Sequence, residues 1–229
     1  MIDNAAQSNE HKLNLLKQRW TTEQGRSVRD KLILAFREGD LEWGKQLIGL
    51  PFVDELPYPD DLRGIDLSGL DLTGMNAAYG NLEDANLEGC VFRTPVRLQM
   101  ARLHRARCHR FVTARKAQMS PIFGDDVDFS EADLSEAFLM SSTLQRANFR
   151  GAKLVKTALE SSKLDDANFE AADLTQSTIE YSSLKRANFR NAILRGANLT
   201  YCDLTGADLR GANLTQAMLD NANLTDARR

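Results

Sequence analysis

RANFRGAKLVKTALESSKLDDANF, residues 146–169, is the stretch that decides the fold. A large apolar residue stands at every fifth position, and the tripeptide Ala-Asn-Phe returns after twenty residues. A spacing of five matches neither the period of a helix, about 3.6 residues, nor the period of a strand, about two. The stretch therefore predicts a repeat in which a period of five is nested inside a period of twenty.

The same spacing continues through residues 127–226. At the twenty positions from Phe129 to Leu224, taken in steps of five, every residue is Leu, Phe or Ile. Two residues before each of them, from Val127 to Ala222, every residue is Ala, Ser, Thr, Cys or Val. No charged residue enters either set. We call the first set the centres and the second set the small inward positions.

The geometry of an extended chain explains this pattern. Residues i and i−2 point to the same side, so each unit of five directs one large and one small side chain inward. If each unit turns a corner, four units close a square coil, and the chain returns above itself at a strand spacing of about 4.8 Å. A narrow interior tolerates little excess volume, so the second inward residue has to be small. Recurrence after twenty residues predicts stacked columns, namely Phe129, Phe149, Phe169 and Phe189, and Ser142, Ser162, Ser182 and Cys202.

Several units carry a more specific motif. They are ADLSE (132–136), ANFRG (147–151), ANLTY (197–201), ADLRG (207–211) and ANLTD (222–226). These units resemble the A(D/N)LXX repeat of the pentapeptide-repeat family, and residues 127–226 carry twenty consecutive copies of the pattern. The resemblance implies a mainly β fold, a right-handed quadrilateral β-helix. The spacing agrees with that fold but does not itself determine the handedness.

The chain divides into two predicted regions, a helical N-terminal cap over 1–56 and a solenoid over 57–229. Apolar residues of the first region lie at helical spacing, with Asp40 as a candidate N-cap. They are Leu13, Leu16, Trp20, Val28, Leu32, Phe36, Leu41 and Ile48, followed by Pro51, Pro57 and Pro59. Short helices before a solenoid are expected to cover its open apolar end.

Upstream of 127 the five-residue spacing is less regular. Centres run from Leu62 to Phe92, but Ile65 and Leu70 stand at small inward positions and Ala77 at a centre, which suggests a wider first coil. The next centre, Leu98, follows Phe92 after six residues. The pattern then fades over 109–126, and we expect a register break or an outward loop within 93–126.

The residue pattern argues against catalysis. A Ser nucleophile needs a base within reach, and residues 110–229 contain no His. His104, Cys108 and His109 lack a fourth metal ligand. We predict that the chain is not an enzyme and has no cofactor or metal. The three cysteines are predicted to be buried thiols of a cytoplasmic protein without membrane insertion, because neither a signal peptide nor a long apolar run is present.

The segment 93–116 carries eight Lys or Arg residues and no carboxylate, and an acidic stretch follows it. Two interpretations stay open: the two segments neutralise one another on adjacent coils, or the basic one binds an anionic partner, such as nucleic acid, an acidic protein or a membrane surface. Tyr181 and Tyr201 stack at a turn position and form a second candidate contact. The candidate interaction patch is Arg93, Arg97, Arg102, Arg105, Arg107, Arg110, Arg115, Lys116, Tyr181 and Tyr201.

The last coil is a candidate dimer end. It bears Leu209, Leu214, Leu219 and Leu224, and no helical cap follows it in the sequence. An uncovered coil presents an unpaired β edge and an apolar face. An isologous contact would cover both, so we predict a homodimer through this coil.

Three functions are compatible with the sequence. The first is a non-catalytic, rigid scaffold that presents its faces for protein–protein interaction with an unknown partner. The second is implied by the resemblance: a DNA-mimicking protector or inhibitor of DNA gyrase or topoisomerase IV, like quinolone-resistance proteins. Residues 127–229 hold 14 acidic and 12 basic residues, which disfavours a continuously negative surface. The third is binding of an anionic partner through 93–116.

Overall fold

The computed structural model describes residues 11, 14–38, 42–47, 50, 61–93, 96–111 and 114–229. From residue 61 the chain forms a four-sided coil in which each turn lies in parallel register on the previous one. Asn148, for example, forms a parallel β-bridge to Asp128 on one side and to Asn168 on the other. The described residues contain no strand longer than a single bridge residue, so the predicted β structure consists of isolated bridges joined by corners.

Each position in a unit of five residues has a fixed structural role. After the small inward residue come the bridge residue, the centre and two corner residues. The N–H of the next small inward residue closes the corner, as Ala147 does by donating to the Leu144 carbonyl at 3.2 Å. The second corner residue is left-handed, with φ of 58° at Arg146 and 66° at Gly151. Only the bridge residue forms a β-bridge, but the centre and the second corner residue also donate to the next coil, as Phe149 does to Asn168 and Gly151 to Glu170.

The Asp or Asn of the repeat caps the corner that follows it. The Asn148 Oδ1 accepts from the Arg150 N–H at 3.2 Å, and the Asp173 Oδ1 accepts from the Thr175 N–H at 3.0 Å. Asp and Asn form such side-chain turns readily because their short side chains reach the backbone two residues on. This contact gives a physical reason for the second letter of the A(D/N)LXX unit.

The core columns have the predicted stacking. The rings of Phe149, Phe169 and Phe189 lie 4.9 Å apart and within 3° of parallel. The Ser162 hydroxyl is buried and donates to the Leu139 carbonyl at 3.1 Å, and the Ser162 N–H donates to the Ser182 hydroxyl at 3.0 Å. The inward serines therefore form hydrogen bonds with backbone groups of neighbouring coils, which gives them a structural role.

The coil register changes at two places by a single residue. Bridged residues are 20 positions apart at the start of the coil, but they are 21 apart between Asn76 and Arg97 and again between Arg97 and Gln118. The insertions fall between Phe92 and Val96 and between Phe111 and Ala114. The described residues of 109–126 continue the coil, although the sequence pattern fades there.

An exchange of side-chain volumes explains why the coil was not recognised there. Cys108 and Ala114 stand at centres but are small, whereas Phe111 stands at the small inward position between them and is large. All three are at most 1% exposed. The Phe111 ring fills the space by packing against Phe92 at 5.0 Å and Phe129 at 6.0 Å. The total volume stays compatible with close packing while the alternation reverses.

The N-terminal region is helical over 14–19, in the helix Glu23–Glu38 and in the 3-10 helix Trp43–Leu47. Buried members of this region are Leu16, Trp20, Val28, Leu32, Phe36, Trp43 and Leu47. Trp43 donates its indole N–H to the Asn76 carbonyl at 2.8 Å and so contacts the coil. The positions Leu13, Asp40, Leu41, Ile48, Pro51, Pro57 and Pro59 lie outside the described residues. The boundary at 56 and 57 therefore stays a prediction.

A buried ion pair fastens this region to the first coil. Arg19 and Asp61 are 2.9 Å apart, and both side chains are fully buried. Arg63 also donates to the Asp61 carboxylate, at 2.8 Å. Burial raises the pKa of Asp61, but hydrogen bonds from Arg63 and Arg19 more than offset it, so the pKa lies below its ordinary value. Within the part of the chain that the structure describes, no helix is long and apolar enough to cross a bilayer.

Candidate protein-interaction face

One of the four faces differs from the others in its exposed side chains. We call it the tyrosine face. Its bridge residues form one continuous column, and each is followed by a centre and two outward corner residues. The column is Asn76, Arg97, Gln118, Phe138, Ala158, Thr178, Asn198 and Met218.

Exposed apolar side chains are concentrated on this face. The described residues include eight large apolar side chains that are exposed, and six of them belong to the tyrosine face. These six are Tyr79, Met100, Phe138, Tyr181, Tyr201 and Met218. Leu34 lies in the N-terminal helix and Ile193 on an adjacent face. The concentration is notable because large apolar patches on a soluble protein usually mark a contact.

Tyr181 and Tyr201 form the centre of the exposed group towards the C-terminus. Their rings stack at 5.1 Å and within 5° of parallel, and they are 61% and 52% exposed. The structure brings these two predicted residues together. Their left-handed backbone, with φ of 58° and 60°, places both rings at a corner of the coil.

The tyrosine face is also distinct in charge. From Gln118 onward its outward residues include Glu160, Glu180 and Asp220 and no Lys or Arg. The Glu160 Oε1 accepts from the Thr178 hydroxyl at 2.5 Å, and Asn198 donates to Glu180 in the same way one coil further on. The carboxylates are therefore held by neighbouring coils beside the aromatic rings.

The basic residues of 93–116 do not form a patch. The coil carries Arg97, Arg102 and Arg107 on three different faces, because successive units turn successive corners. Only Arg97 is on the tyrosine face, and it lies several coils away from the tyrosine pair. A run of basic residues that is continuous in sequence is thus dispersed around the rod.

Most of these residues are also paired with carboxylates. The contacts are Arg93 with Asp71, Arg102 with Glu83, Arg105 with Asp84, Arg110 with Glu131, and both Arg115 and Lys116 with Glu136. The hydrogen bond from Arg110 lowers the pKa of Glu131. The geometry agrees with neutralisation between adjacent coils, although each exposed pair contributes little to stability, about 0–1 kcal/mol. Within the described ranges, Arg97 and Arg107 have no ion pair.

A serine and a histidine come closer than the sequence indicated. His109 Nδ1 lies 2.9 Å from the Ser130 Oγ, so a His is within reach of a Ser. The Ser130 hydroxyl, however, lies 2.5 Å from Asp128 Oδ1 in the same corner contact that Thr175 makes with Asp173. Its proton is directed to Asp128, so the imidazole donates to Ser130 and does not act as its base. We assign the contact a structural role.

The three cysteines are free and buried. Burial raises the pKa of Cys90 to about 12 and that of Cys202 to about 11. Burial likewise raises the pKa of Cys108 well above its usual range. A thiol that stays protonated is a poor nucleophile and a poor metal ligand. Among the residues that the structure describes, no cluster of His, Cys, Asp and Glu could hold a metal ion.

The predicted dimer end is less covered than the rest of the core. Leu209 is 3% exposed and belongs to the packed interior. Leu214, Leu219 and Leu224 are only half-buried, unlike the centres of the preceding coils. The role of Leu209, Leu214, Leu219 and Leu224 as a dimer end stays a prediction.

The remaining members of the tyrosine face were not identified from sequence. The two single-residue insertions displace the register between Tyr79, Met100 and the later units. Phe138 and Met218 stand at bridge positions, which the five-residue pattern does not restrict. A signal was available between Phe138 and Met218, because their separation is a multiple of twenty residues. Tyr79 and Met100 required the two insertions to be located first.

Comparison with known proteins identifies the repeat. The family model described as pentapeptide repeats matches eight copies, over 61–93, 125–157, 152–191 and 192–228, which is more than half of the chain. No curated protein matches the chain. The unmatched interval between 93 and 125 contains both single-residue insertions.

Solved structures with partial likeness are pentapeptide-repeat proteins as well. Rfr23 from the cyanobacterium Cyanothece 51142 is 31% identical, with 41% of this chain and 65% of that chain covered and a TM-score of 0.40. HetL, involved in heterocyst differentiation regulation in Nostoc sp. strain PCC 7120, is 24% identical, with coverages of 73% and 86% and a TM-score of 0.23. QnrB1, a plasmid-mediated fluoroquinolone resistance protein, is 17% identical, with coverages of 70% and 87% and a TM-score of 0.36.

The chain spans 65% of the length of Rfr23, and all three TM-scores are below 0.5. The assignment therefore depends on the repeat match and on the coil with its bridges, corners and Phe column. Membership implies the right-handed β-helix of this family. On the strength of the repeat match, the chain belongs to the pentapeptide-repeat family.

Proposed function

We propose that this chain is a rigid, non-catalytic scaffold that binds a protein partner through the tyrosine face. The observation that carries the proposal is the location of six of the eight exposed large apolar side chains on that one face. Tyr and Met are enriched in the contact regions of protein interfaces, and a few aromatic residues usually supply most of the binding energy. Members of this family are generally scaffolds rather than catalysts.

The charges of the face define the kind of partner. Glu160, Glu180 and Asp220 flank the aromatic side chains without a nearby Lys or Arg on the same face beyond Gln118. A complementary surface would have apolar pockets for the two tyrosine rings and Lys or Arg side chains at their edges. Such a partner would bind more slowly at high salt, because screening weakens the steering by exposed charges.

The test uses the full chain as bait in three forms: wild type, the double variant Tyr181→Ala/Tyr201→Ala, and Ile193→Ala. Ile193 is the matched control, an exposed apolar residue on an adjacent face. A partner captured from the native host is purified, and its affinity for each form is measured by calorimetry. We expect the double variant to bind at least about 30-fold more weakly, which corresponds to about 2 kcal/mol for a hot-spot pair.

Unchanged melting temperatures must accompany that loss. If the double variant binds its partner as tightly as the wild type, or if Ile193→Ala loses affinity equally, the tyrosine face is not the binding surface. The two outcomes separate a local contact from a general effect on the rod.

The second candidate is protection of DNA gyrase or topoisomerase IV by imitation of DNA. The carboxylates of the tyrosine face favour it, whereas the ion pairs Arg146–Asp126 and Arg186–Asp166 mix the charges of an adjacent corner. A supercoiling assay with and without a fluoroquinolone tests it directly. Rescue of supercoiling by micromolar protein would support this function, and absence of rescue would exclude it.

The predicted homodimer also remains a proposal. It is supported by the half-buried Leu214, Leu219 and Leu224 of the last coil. Light scattering of this chain at tens of micromolar should give twice the monomer mass, and Leu219→Lys should return the mass to that of a monomer. A monomer mass for the wild type would refute the pairing.

Two further predictions concern an anionic partner and the cellular compartment. Binding of an anionic partner through 93–116 is disfavoured by the dispersal and pairing of its basic residues. A heparin column at low salt tests it, and flow-through would exclude it. Buried free thiols agree with a reducing compartment, so we expect the chain to act in the cytoplasm.

A further inference from the structure

A cleft lies where the N-terminal helices meet the first coils. Its volume is about 430 Å³, within the range of small-molecule sites. Lys17, Arg26 and Arg29 line it from the helical side, and Asp66, Asp84 and Arg107 line it from the coil. Its walls thus come from parts of the chain that are distant in sequence, and only Arg107 belongs to the basic segment identified from sequence.

Positive charge is in excess in this cleft. Both oxygens of Asp84 already accept hydrogen bonds from Arg105, at 3.0 and 2.7 Å. Asp66 accepts from Ser68 at 2.8 Å and from Asn86 at 2.9 Å, neither of which carries a charge. The cleft is therefore lined by four cations, Lys17, Arg26, Arg29 and Arg107. Asp66 is the one carboxylate of the lining that has no ion pair among the described residues.

Two of the arginines have unused hydrogen-bonding capacity. The Nε of Arg29 is buried and has no hydrogen-bond partner among the described residues, and its Nη2 lies 3.6 Å from the exposed Asp30. Arg107 makes no ion pair with any described carboxylate. A buried donor without an acceptor is destabilising, so an anion that reached the Arg29 guanidinium would stabilise the site.

The backbone also brings the helical wall close to the coil. Gly64 has φ of +68°, and a Cβ at this position would lie 2.8 Å from Cγ of Lys17. Other corners of the coil accept non-glycine residues at positive φ, as at Arg146, so at Gly64 it is the close approach of Lys17 that excludes a side chain. The stem of Lys17 therefore lies against the corner at Gly64, and both residues line the cleft.

We propose that this cleft binds the phosphoryl group of a small anionic ligand. The guanidinium groups of Arg26, Arg29 and Arg107 can each present two parallel N–H donors to phosphate oxygens. The surplus of cations favours a doubly charged group over a single carboxylate. The site is independent of the tyrosine face and of the partner proposed for it.

The experiment titrates the full chain calorimetrically with inorganic phosphate and, separately, with glucose 6-phosphate, at constant ionic strength of about 0.15 M so that screening is equal. The variants are Arg29→Gln and Arg107→Gln, one from each wall. Arg195→Gln is the matched control, because Arg195 is exposed on the coil far from the cleft. Circular dichroism melting establishes that every variant is folded.

We expect saturable binding of one phosphoryl group per chain. Arg29→Gln and Arg107→Gln should each weaken it at least about tenfold, the loss expected for a charge-assisted hydrogen bond, and Arg195→Gln should leave it unchanged. Binding of glucose 6-phosphate but not of phosphate would identify an esterified ligand, and binding of both a phosphate site. Absence of saturable binding at millimolar concentration, or equal affinity in all variants, would overturn the proposal. Neither result bears on capture through Tyr181 and Tyr201.

Discussion

Replacement of Asp61 tests how the N-terminal region is fastened to the coil. Asp61→Asn keeps the shape of the side chain but removes the charge that Arg19 meets at 2.9 Å and Arg63 at 2.8 Å. Both members of the first pair are fully buried. Loss of one partner of a buried ion pair costs about 3–5 kcal/mol, because the other charge stays in a medium of low polarity.

The magnitude should differ between the two sides of the pair. Arg19→Met leaves Asp61 with the Arg63 guanidinium, whose Nη2 donates to Asp61 Oδ2 at 3.0 Å. Asp61→Asn instead leaves two cations facing an amide. We therefore expect about 3 kcal/mol or less for Arg19→Met and about 4 kcal/mol or more for Asp61→Asn.

The chain provides its own probe for this experiment. Its two tryptophans, Trp20 and Trp43, are both buried in the N-terminal region, at 4% and 3% exposure. Urea unfolding followed by tryptophan fluorescence reports this region, while circular dichroism reports the coil. With a slope of about 2 kcal/mol per molar urea, Asp61→Asn should lower the fluorescence midpoint by about 2 M.

The control is Asp173→Asn, which changes a bridge-position aspartate far from the helices. It should leave the fluorescence midpoint unchanged. The reasoning would be refuted if Asp61→Asn moved the fluorescence midpoint by less than about 0.3 M, or if Arg19→Met were the more damaging of the two variants. In either case the buried pair would not be what holds the helices on the coil.

The remaining predictions concern the core, the corners and acid stability. Leu164→Ala should cost about 2–5 kcal/mol by circular dichroism because it opens a cavity in a fully buried site, and Leu224→Ala, at the half-buried end, should cost less than half of that. Asn168→Ala should cost about 1 kcal/mol or more, since it removes a corner hydrogen bond and the side-chain hydrogen bonds with Asn148 and Asn188; a cost near zero would show that the backbone alone sets the corner. The pKa of Asp61 is lowered in the folded state, so its contribution is complete above the unfolded pKa of about 3.9 and is lost as the pH falls through the folded value. The fluorescence-detected stability should therefore decline below about pH 4, and the decline should be shallower in Asp61→Asn.

The coil over 127–226 was predictable because each of its residues obeys one local rule. Every centre is large and every small inward position is small, so a reader of the sequence can follow the chain around each corner. The stacked Phe149, Phe169 and Phe189 confirm the twenty-residue period. In the first coil, Ile65 and Met75 are buried at small inward positions and Ala77 at a centre, while a wider coil stays a prediction.

The coil over 109–126 could not be followed by that rule. Close packing constrains the total volume of a layer, and Phe111 can supply what Cys108 and Ala114 lack. Two insertions of one residue then displace the register without interrupting the bridges. Sequence spacing shows where the large residues stand but not the total side-chain volume of a layer. The local rule therefore fails where a large and a small residue exchange positions.

The candidate sites were harder to predict for a different reason. Neighbours on a face are 20 or 21 residues apart, whereas neighbours in sequence turn away to other faces. The contiguous run 93–116 was therefore dispersed, while Tyr181 and Tyr201 were correctly placed beside each other. The cleft between Arg29 and Arg107 depends on how the helices pack on the coil, which no periodicity encodes.

The corner that carries Tyr181 and Tyr201 has a consequence for how binding could evolve. Backbone hydrogen bonds between coils fix the distance between the two rings at 5.1 Å, so this surface cannot adapt to a ligand by rearranging a loop. Side-chain identity is the available variable, and exchanging an outward residue leaves the inward ones untouched. Specificity would therefore be acquired by exchanging single outward side chains, while the spacing between the coils stayed constant.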